Sequence, residues 1–176
     1  MIIKAISGLK WRKVEEYLSG YYGQFQTTMD SKGRFALPAK LRSVRDITTK
    51  KQLLNGNLLI TKGLEGCLSL YDESQWKEIQ QKFASLAFTQ KDFRFFSRRF
   101  YSSAGSLTAD KNGRVLIPSH LISEAGLKKE VLVIGVNSWI EIWNPERYQY
   151  YLEQYPKSYE EVAEKLFSGD GPPERE

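Results

Sequence analysis

One short pattern of charged and glycine residues occurs twice in the chain and is the part best suited to chemistry. Asp30 to Pro38 has the sequence DSKGRFALP, and Asp110 to Pro118 has DKNGRVLIP. Both follow D-x-x-G-R-φ-x-φ-P, where φ is an apolar residue. The carboxylate can accept hydrogen bonds from turn amides, and the glycine can adopt the positive φ that a tight turn requires. The pattern therefore predicts two turns, each followed by an arginine.

The arginine of each copy is suited to contacting nucleic acid. A turn between two strands can enter a DNA groove, and the guanidinium beside it can donate to guanine O6 and N7 or clamp a phosphate. The carboxylate has a different role, because DNA repels it. Two interpretations stay open. Either Arg34 and Arg114 contact DNA, or each forms an ion pair with the aspartate of its own copy that only fixes the hairpin.

The candidate DNA-binding residues are those of the two predicted turns and the arginines that follow them. The second copy has Asn112 at the position of Lys32, although Lys111 lies next to it, so we expect it to make fewer phosphate contacts. The full set is Asp30, Lys32, Gly33 and Arg34 in the first copy and Asp110, Lys111, Gly113 and Arg114 in the second.

Further basic residues follow the first turn, on or just past a predicted short helix. They either widen the phosphate-contacting surface or only solvate the domain. These residues are Lys40, Arg42, Arg45, Lys50 and Lys51.

The repeat extends beyond the turns. Thr28 is matched by Thr108 and Leu41 by Leu121, and the segment 63–76 (GLEGCLSLYDESQW) parallels the segment 135–148 (GVNSWIEIWNPERY). Self-similarity over this length predicts that both copies fold in the same way.

Each copy is predicted to contain strands around its turn, a short helix after the proline, two more strands and a closing helix. Asp72 is a good N-cap for the first closing helix, and Gly126 is expected to end the short helix of the second copy. Ser158 with Glu161 forms a capping box for a last helix ending at Gly169. Residues 92–101 are predicted to form a helical link that packs against the core. The predicted strands are 24–29, 34–37, 57–61, 67–71, 130–135 and 139–143, and the other predicted helices are 39–44, 119–125 and 145–154.

Composition and charge favour a globular protein that binds a polyanion. The chain is 41% hydrophobic and 27% charged, which excludes wholesale disorder. Its net charge is +5, but residues 141–176 hold nine acidic and four basic side chains, so the body before them is strongly basic. Such a body suits phosphate binding. A solvated basic surface explains the charge equally well.

The sequence offers little for an enzyme. Cys67 and His120 are the only cysteine and histidine, and no phosphate loop, dinucleotide fingerprint or metal-ligand spacing occurs. No apolar stretch approaches the roughly 18 residues of a membrane span, and the first six residues are too short for a signal-peptide core. We expect a cytoplasmic protein with no cofactor, metal, membrane or small-molecule partner.

The paired motifs, together with the run from Leu127 to Gly135 and the segment Glu141-Ile142-Trp143, closely resemble the MraZ family over roughly residues 21–164. The resemblance implies a mainly β fold with helices (α+β), built from two tandem swapped-hairpin units of the SpoVT-AbrB type that form a pseudo-twofold β-barrel. It also implies that chains join into a homo-oligomeric ring.

The same resemblance implies a function and a domain organisation. Proteins of this family bind direct repeats in double-stranded DNA upstream of their own cell-division and cell-wall operon and associate with the nucleoid. The implied organisation is an N-terminal extension at 1–19, a first repeat at 20–90, a helical linker at 91–102, a second repeat with C-terminal helices at 103–168, and a disordered tail at 169–176.

A different class of function is a protein-interaction module, such as an AbrB-like antitoxin whose tail binds a toxin. Small AbrB-like antitoxins carry one hairpin copy and dimerise to obtain two, whereas this chain already holds both. The internal duplication therefore favours the transcription regulator.

Overall fold

The computed structural model of the protein describes residues 20–44 and 57–168. The predicted extension at 1–19, the predicted tail at 169–176 and the basic residues Arg45, Lys50 and Lys51 lie outside the described residues. The chain divides into two compact units, Met1–Pro145 and Glu146–Glu176, and each is described by itself.

The described part of the first unit contains eight strands and four helices, and two more helices follow at the C-terminal side. The strands are β1 (Tyr21–Thr28), β2 (Arg34–Ala36), β3 (Asn57–Lys62), β4 (Leu68–Tyr71), β5 (Gly105–Thr108), β6 (Arg114–Leu116), β7 (Glu130–Asn137) and β8 (Ile140–Trp143). The helices are α1 (Ala39–Arg42), α2 (Glu73–Ala84), α3 (Lys91–Ser102), α4 (Ser119–Ala125), α5 (Pro145–Gln154) and α6 (Tyr159–Phe167).

The strands form one six-stranded antiparallel sheet and one two-stranded ribbon. The sheet has the order β1-β7-β8-β4-β3-β5, and the ribbon pairs β2 with β6. Exchanging the two copies of the repeat converts β1 into β5, β7 into β3 and β8 into β4, so the strand order maps onto itself. The expected α+β class with two related halves is confirmed, and the halves have twofold pseudosymmetry in their pairing.

Most strand pairings join one copy of the repeat to the other. β1 of the first copy pairs with β7 of the second, β4 pairs with β8, and β2 pairs with β6. β5 of the second copy pairs with β3 of the first. Only the hairpins β3–β4 and β7–β8 lie within one copy among the described residues. The two copies are therefore interlaced rather than side by side.

The closed barrel that the resemblance implies is not seen. β1 and β5 are the two edges of the six-stranded sheet, and the described residues contain no pairing that closes it. The reason is that β2 and β6, at three residues each, pair with one another and form a separate ribbon.

A single apolar core takes equivalent side chains from both copies. Alternation along β2 and β6 turns Phe35 and Val115 inward, where they are 1% and 0% exposed. Burying each large aliphatic side chain contributes roughly 1.5–3 kcal/mol, so the shared core is the main reason that the interlaced pairing is stable. The other matched core residues are Leu37 with Ile117 and Leu41 with Leu121.

The predicted helix boundaries follow from local capping chemistry. Oδ1 of Asp72 accepts hydrogen bonds from the backbone N–H groups of Ser74 and Gln75, at 2.8 and 3.0 Å, and so caps α2. Gly126 ends α4 in the left-handed conformation, with φ at 59°. These two caps are confirmed as predicted.

The second unit contains α6 and most of α5. The predicted capping box is present at the start of α6, where Ser158 and Glu161 bond to each other's backbone N–H groups. The helix ends at Phe167 with Ser168 as its C-cap, two residues before the predicted end at Gly169.

The predicted link between the copies is the helix α3, and it packs through aromatic rings. Phe100 is buried and stacks on Trp76 of α2, with ring centroids 5.4 Å apart. The backbone carbonyl of Phe100 also accepts a hydrogen bond from Oγ1 of Thr61, at 2.6 Å. Among residues 20–44 and 57–168, every helix is too short or too polar to span a lipid bilayer.

Candidate nucleic-acid interface

The first predicted site is a tight turn at residues 30–33, called turn 1 below. The backbone N–H of Gly33 donates to the carbonyl of Asp30 at 3.0 Å, and Gly33 has φ at +81°. Oδ1 of Asp30 accepts from the backbone N–H groups of Lys32 and Arg34, at 2.9 and 3.0 Å. The aspartate therefore braces the turn, as its position in the sequence predicts.

The other carboxylate oxygen of Asp30 holds the arginine side chain. Oδ2 lies 2.8 Å from both Nε and Nη2 of Arg34. The pKa of Asp30 is lowered from its ordinary value, mainly by the backbone N–H of Arg34 and next by its side chain. Both groups stabilise the charged carboxylate.

Turn 2, at residues 110–113, repeats this geometry. Oδ1 of Asp110 accepts from the backbone N–H groups of Asn112 and Arg114, at 2.8 and 2.9 Å, and its Oδ2 lies 2.9 Å from Nε of Arg114. Gly113 has φ at +73°. The pKa of Asp110 is lowered, again mainly by the backbone N–H of Arg114. The substitution of Asn112 for Lys32 leaves the turn itself unchanged.

The ribbon presents both arginines on one face. Because Phe35 and Val115 point into the core, the alternating neighbours Arg34 and Arg114 point outward. Their side chains are 36% and 42% exposed. Arg34 pairs with Leu116 and Arg114 with Ala36, so the arginines lie diagonally across the ribbon.

Backbone hydrogen bonds extend the ribbon into both turns. The N–H of Leu37 donates to the carbonyl of Gly113 at 2.9 Å, and the N–H of Ile117 donates to the carbonyl of Gly33 at 3.0 Å. The strands are antiparallel, so the two turns lie at opposite ends of the ribbon. Each turn is thus anchored by the strand of the other copy.

Each turn glycine also contacts the short helix of the other copy. A Cβ added at Gly33 would lie 2.7 Å from Cδ1 of Ile122 on α4, and one added at Gly113 would lie 2.5 Å from Cζ of Arg42 on α1. Arg42 is half-buried, and its Nε donates to the carbonyl of Leu37 at 2.9 Å. Only glycine fits either position without displacing these side chains.

The structure brings together the predicted residues of each copy. It also shows that an internal ion pair of the arginine does not exclude a contact with DNA. The internal ion pairs exist, but they leave the guanidinium groups of Arg34 and Arg114 exposed at the ribbon surface. Lys32 and Lys111 are exposed in their turns. The contact of Arg42 with turn 2 is what the sequence interpretation missed, since it treated Arg42 only as one of several surface cations.

The cysteine thiol belongs to neither turn. Cys67 is buried, and desolvation, with a smaller effect of Glu141, raises the pKa of its thiol to about 12. Its Sγ donates to the carbonyl of Leu64 at 3.2 Å. Among the residues that the structure describes, no group of three or more His, Cys, Asp or Glu side chains could hold a metal ion.

Most of the chain matches the model of a known protein family. The family model described as "MraZ protein", which its description also likens to antitoxins, matches twice, at residues 21–99 and 100–169. The chain belongs to the MraZ family. Each of the two matches contains one braced turn of the ribbon.

Individual MraZ relatives are similar over most of their length. The transcriptional regulator MraZ of Heliobacterium modesticaldum is 43% identical over 150 residues, covering 85% of this chain and 99% of the relative. The proteins of the same name from Pelotomaculum thermopropionicum and Caldanaerobacter subterraneus are each 42% identical, covering 83% and 82% of this chain and 94% of each relative.

Proposed function

We propose that this MraZ protein is a transcription regulator that binds double-stranded DNA through the outer face of the β2–β6 ribbon. The observation that carries the proposal is the pair of exposed arginines, Arg34 and Arg114, each held by an aspartate-braced turn on one face. The relatives that carry the name transcriptional regulator support the same function.

The turn geometry suits a DNA contact. A guanidinium has five N–H donors. The aspartate contacts Nε and Nη2 of Arg34 and Nε of Arg114, so other donors of each arginine are left to bind guanine or phosphate. The aspartate holds the side chain in place before DNA arrives, which lowers the entropy lost on binding. In this proposal Asp30 and Asp110 position the arginines, Gly33 and Gly113 allow the turns, and Lys32 and Lys111 contact phosphates.

We further propose that the target is a set of direct repeats upstream of the protein's own operon of cell-division and cell-wall genes, and that the protein acts at the nucleoid in the cytoplasm. A ribbon with two short turns makes few contacts, so one chain alone binds weakly. A homo-oligomeric ring of SpoVT-AbrB-like units on consecutive repeats raises avidity by roughly 10²–10⁴.

An exposed apolar surface of the first unit supports self-association. Leu64, Phe88 and Phe95 are 62%, 76% and 68% exposed. Leu64 and Phe95 line a hollow of about 520 Å³ together with Phe96 and Phe100. Exposed apolar groups that cluster in this way mark protein–protein contacts, and we assign this one to a second copy of the chain.

The test is a gel-shift titration of a labelled fragment of the gene's own upstream region at two salt concentrations. We expect the double variant Arg34→Ala/Arg114→Ala to lose specific binding while its oligomer stays intact. Lys77→Ala/Lys82→Ala removes the same charge from exposed positions of α2 and is the matched control. Equal binding by the arginine variant and the wild type would place the DNA surface elsewhere.

Two further measurements test the proposed direct repeats and the proposed ring. Lengthening the spacing between DNA repeats by half a helical turn should weaken binding, because consecutive subunits then face different sides of the duplex. The mass of the purified complex separates a ring from the antitoxin alternative, since a tightly bound small partner protein would favour the antitoxin.

A further inference from the structure

The two turns carry the same charged residue types, but their surroundings differ. Turn 1 with its arginine holds one aspartate, one lysine and one arginine, and so does turn 2, where Lys111 compensates for Asn112. The difference comes from the short helices. Arg42 of α1 lies on turn 2, whereas its counterpart in the repeat, Ile122 of α4, lies on turn 1.

Arg42 is fixed at turn 2 by its own hydrogen bond. Nε donates to the carbonyl of Leu37, the residue whose N–H donates to the carbonyl of Gly113. An arginine is charged at any physiological pH, so the guanidinium that lies beside Gly113 is a cation.

The surroundings of turn 1 are apolar at the equivalent position. Ile122 packs against the core and lies over Gly33. Ile122 and Leu116 line a hollow of about 470 Å³ beside Lys32 and Gly33. The cation near turn 2 thus has an aliphatic side chain as its counterpart near turn 1.

We propose that Arg42 makes turn 2 the stronger phosphate-binding end of the ribbon, so that the two copies of the motif contribute unequally to DNA affinity. This inference rests on the proposed DNA-binding function. It reverses the order expected from Asn112 alone, because turn 2 holds the same charged residue types as turn 1 and also has a cation from the other copy beside it. The helix of the first copy thereby determines the strength of the second copy's site.

The experiment compares Arg34→Ala with Arg114→Ala in four backgrounds: wild type, Arg42→Gln, Arg42→Lys and the exchange Arg42→Ile/Ile122→Arg. The probe is a labelled duplex from upstream of the gene, and the measurement is affinity against salt concentration. Gln keeps a donor for the Leu37 carbonyl without the charge, Lys keeps the charge, and the exchange moves the guanidinium to turn 1 at constant composition.

In the wild type we expect Arg114→Ala to lose more affinity than Arg34→Ala. Arg42→Gln should reduce the salt dependence by about one released counterion and make the two losses equal. Arg42→Lys should keep the wild-type order, and the exchange should reverse it. If Arg42 only braces the turn, the Lys and Gln backgrounds should give the same result.

Equal losses from Arg34→Ala and Arg114→Ala in the wild type would overturn the inference, as would an unchanged difference in Arg42→Gln. Urea unfolding of each background checks that the protein is folded. If the exchange variant is unstable, the comparison of Arg42→Gln with Arg42→Lys still tests the inference. Failure of the wild type to bind above nonspecific competitor is a distinct result, because it rejects the proposed function itself.

Discussion

Oδ1 of Asp30 accepts a hydrogen bond from the backbone N–H of Arg34 at 3.0 Å, while Oδ2 accepts one from Nε of the same residue at 2.8 Å. One carboxylate thus fixes both the backbone and the side chain of the arginine. Asp110 and Arg114 repeat the arrangement, with both distances at 2.9 Å. The spacing of four residues is what permits it, because the turn brings these two positions together.

Replacing both aspartates by asparagine should separate specific from nonspecific DNA binding. The amide oxygen of Asp30→Asn/Asp110→Asn can still accept the turn N–H groups, but the arginines lose their charged partner. We expect the ratio of specific to nonspecific affinity to fall roughly tenfold or more, because two arginine contacts, each worth about 1–3 kcal/mol of discrimination, are weakened. Competition gel shifts with the upstream fragment and random duplex measure this ratio.

The control for the asparagine variant is Glu78→Gln/Asp92→Asn, which removes two exposed negative charges from α2 and α3. Both variants gain the same net charge, so both should bind random duplex more tightly than the wild type. An unchanged specificity ratio in the turn variant would mean that the aspartates do not orient the arginines.

The turns should tolerate mild acid. The pKa values of Asp30 and Asp110 are lowered in the folded protein, so their stabilising contribution is present above the unfolded value near 3.9 and is lost as pH falls through the folded value. Amide NMR signals of Gly33 and Gly113 should therefore stay constant from about pH 8 to 5 and shift only below about pH 4. A change in these amide signals near pH 6 would show that a group other than the two aspartates controls the turns.

Replacing either of two equivalent core leucines by alanine should destabilise the whole first unit. Leu41 and Leu121 are 0% and 1% exposed, and alanine at either position should cost roughly 2–5 kcal/mol of unfolding free energy. Urea unfolding followed by circular dichroism measures the cost, and Leu152→Ala, at a residue 47% exposed, should cost about 0.5 kcal/mol or less. Two separate transitions in the leucine variants would show that the copies do not share one core.

Gly135 is a position of close backbone approach. A Cβ there would lie 2.4 Å from the backbone nitrogen of Tyr22, so Gly135→Ala must push β1 away from β7. We expect a loss of about 1–3 kcal/mol of unfolding free energy. Gly105→Ala is the matched strand control, because nothing lies within 4 Å of its added Cβ. A neutral Gly135→Ala would show that the strands can separate without cost.

Local chemistry made much of this fold predictable from the sequence. The N-cap at Asp72, the capping box of Ser158 with Glu161 and the left-handed Gly126 all depend on neighbours within a few residues. The bracing of each turn by its aspartate is local in the same sense. Such features depend on residues close together in the sequence, so the residue pattern specifies them.

Contacts between the two copies could not be predicted from the sequence in this way. The repeat alignment pairs Arg42 with Ile122 but does not say which turn each side chain covers. That depends on the pairing of β2 with β6, which joins segments some eighty residues apart. The open sheet has the same cause, since nothing local decides whether β2 pairs with β6 or closes a barrel. Once the interlaced pairing is known, the unequal neighbours of Gly33 and Gly113 follow directly.

The interlacing of the two copies also determines whether the two halves stay together at low protein concentration. Halves made as separate chains would come apart on dilution, because their association depends on concentration. Here the pairings that join the halves are intramolecular, so the ribbon with both arginines is assembled in every molecule. One chain in a dilute cell therefore presents the same paired surface as one in a concentrated solution.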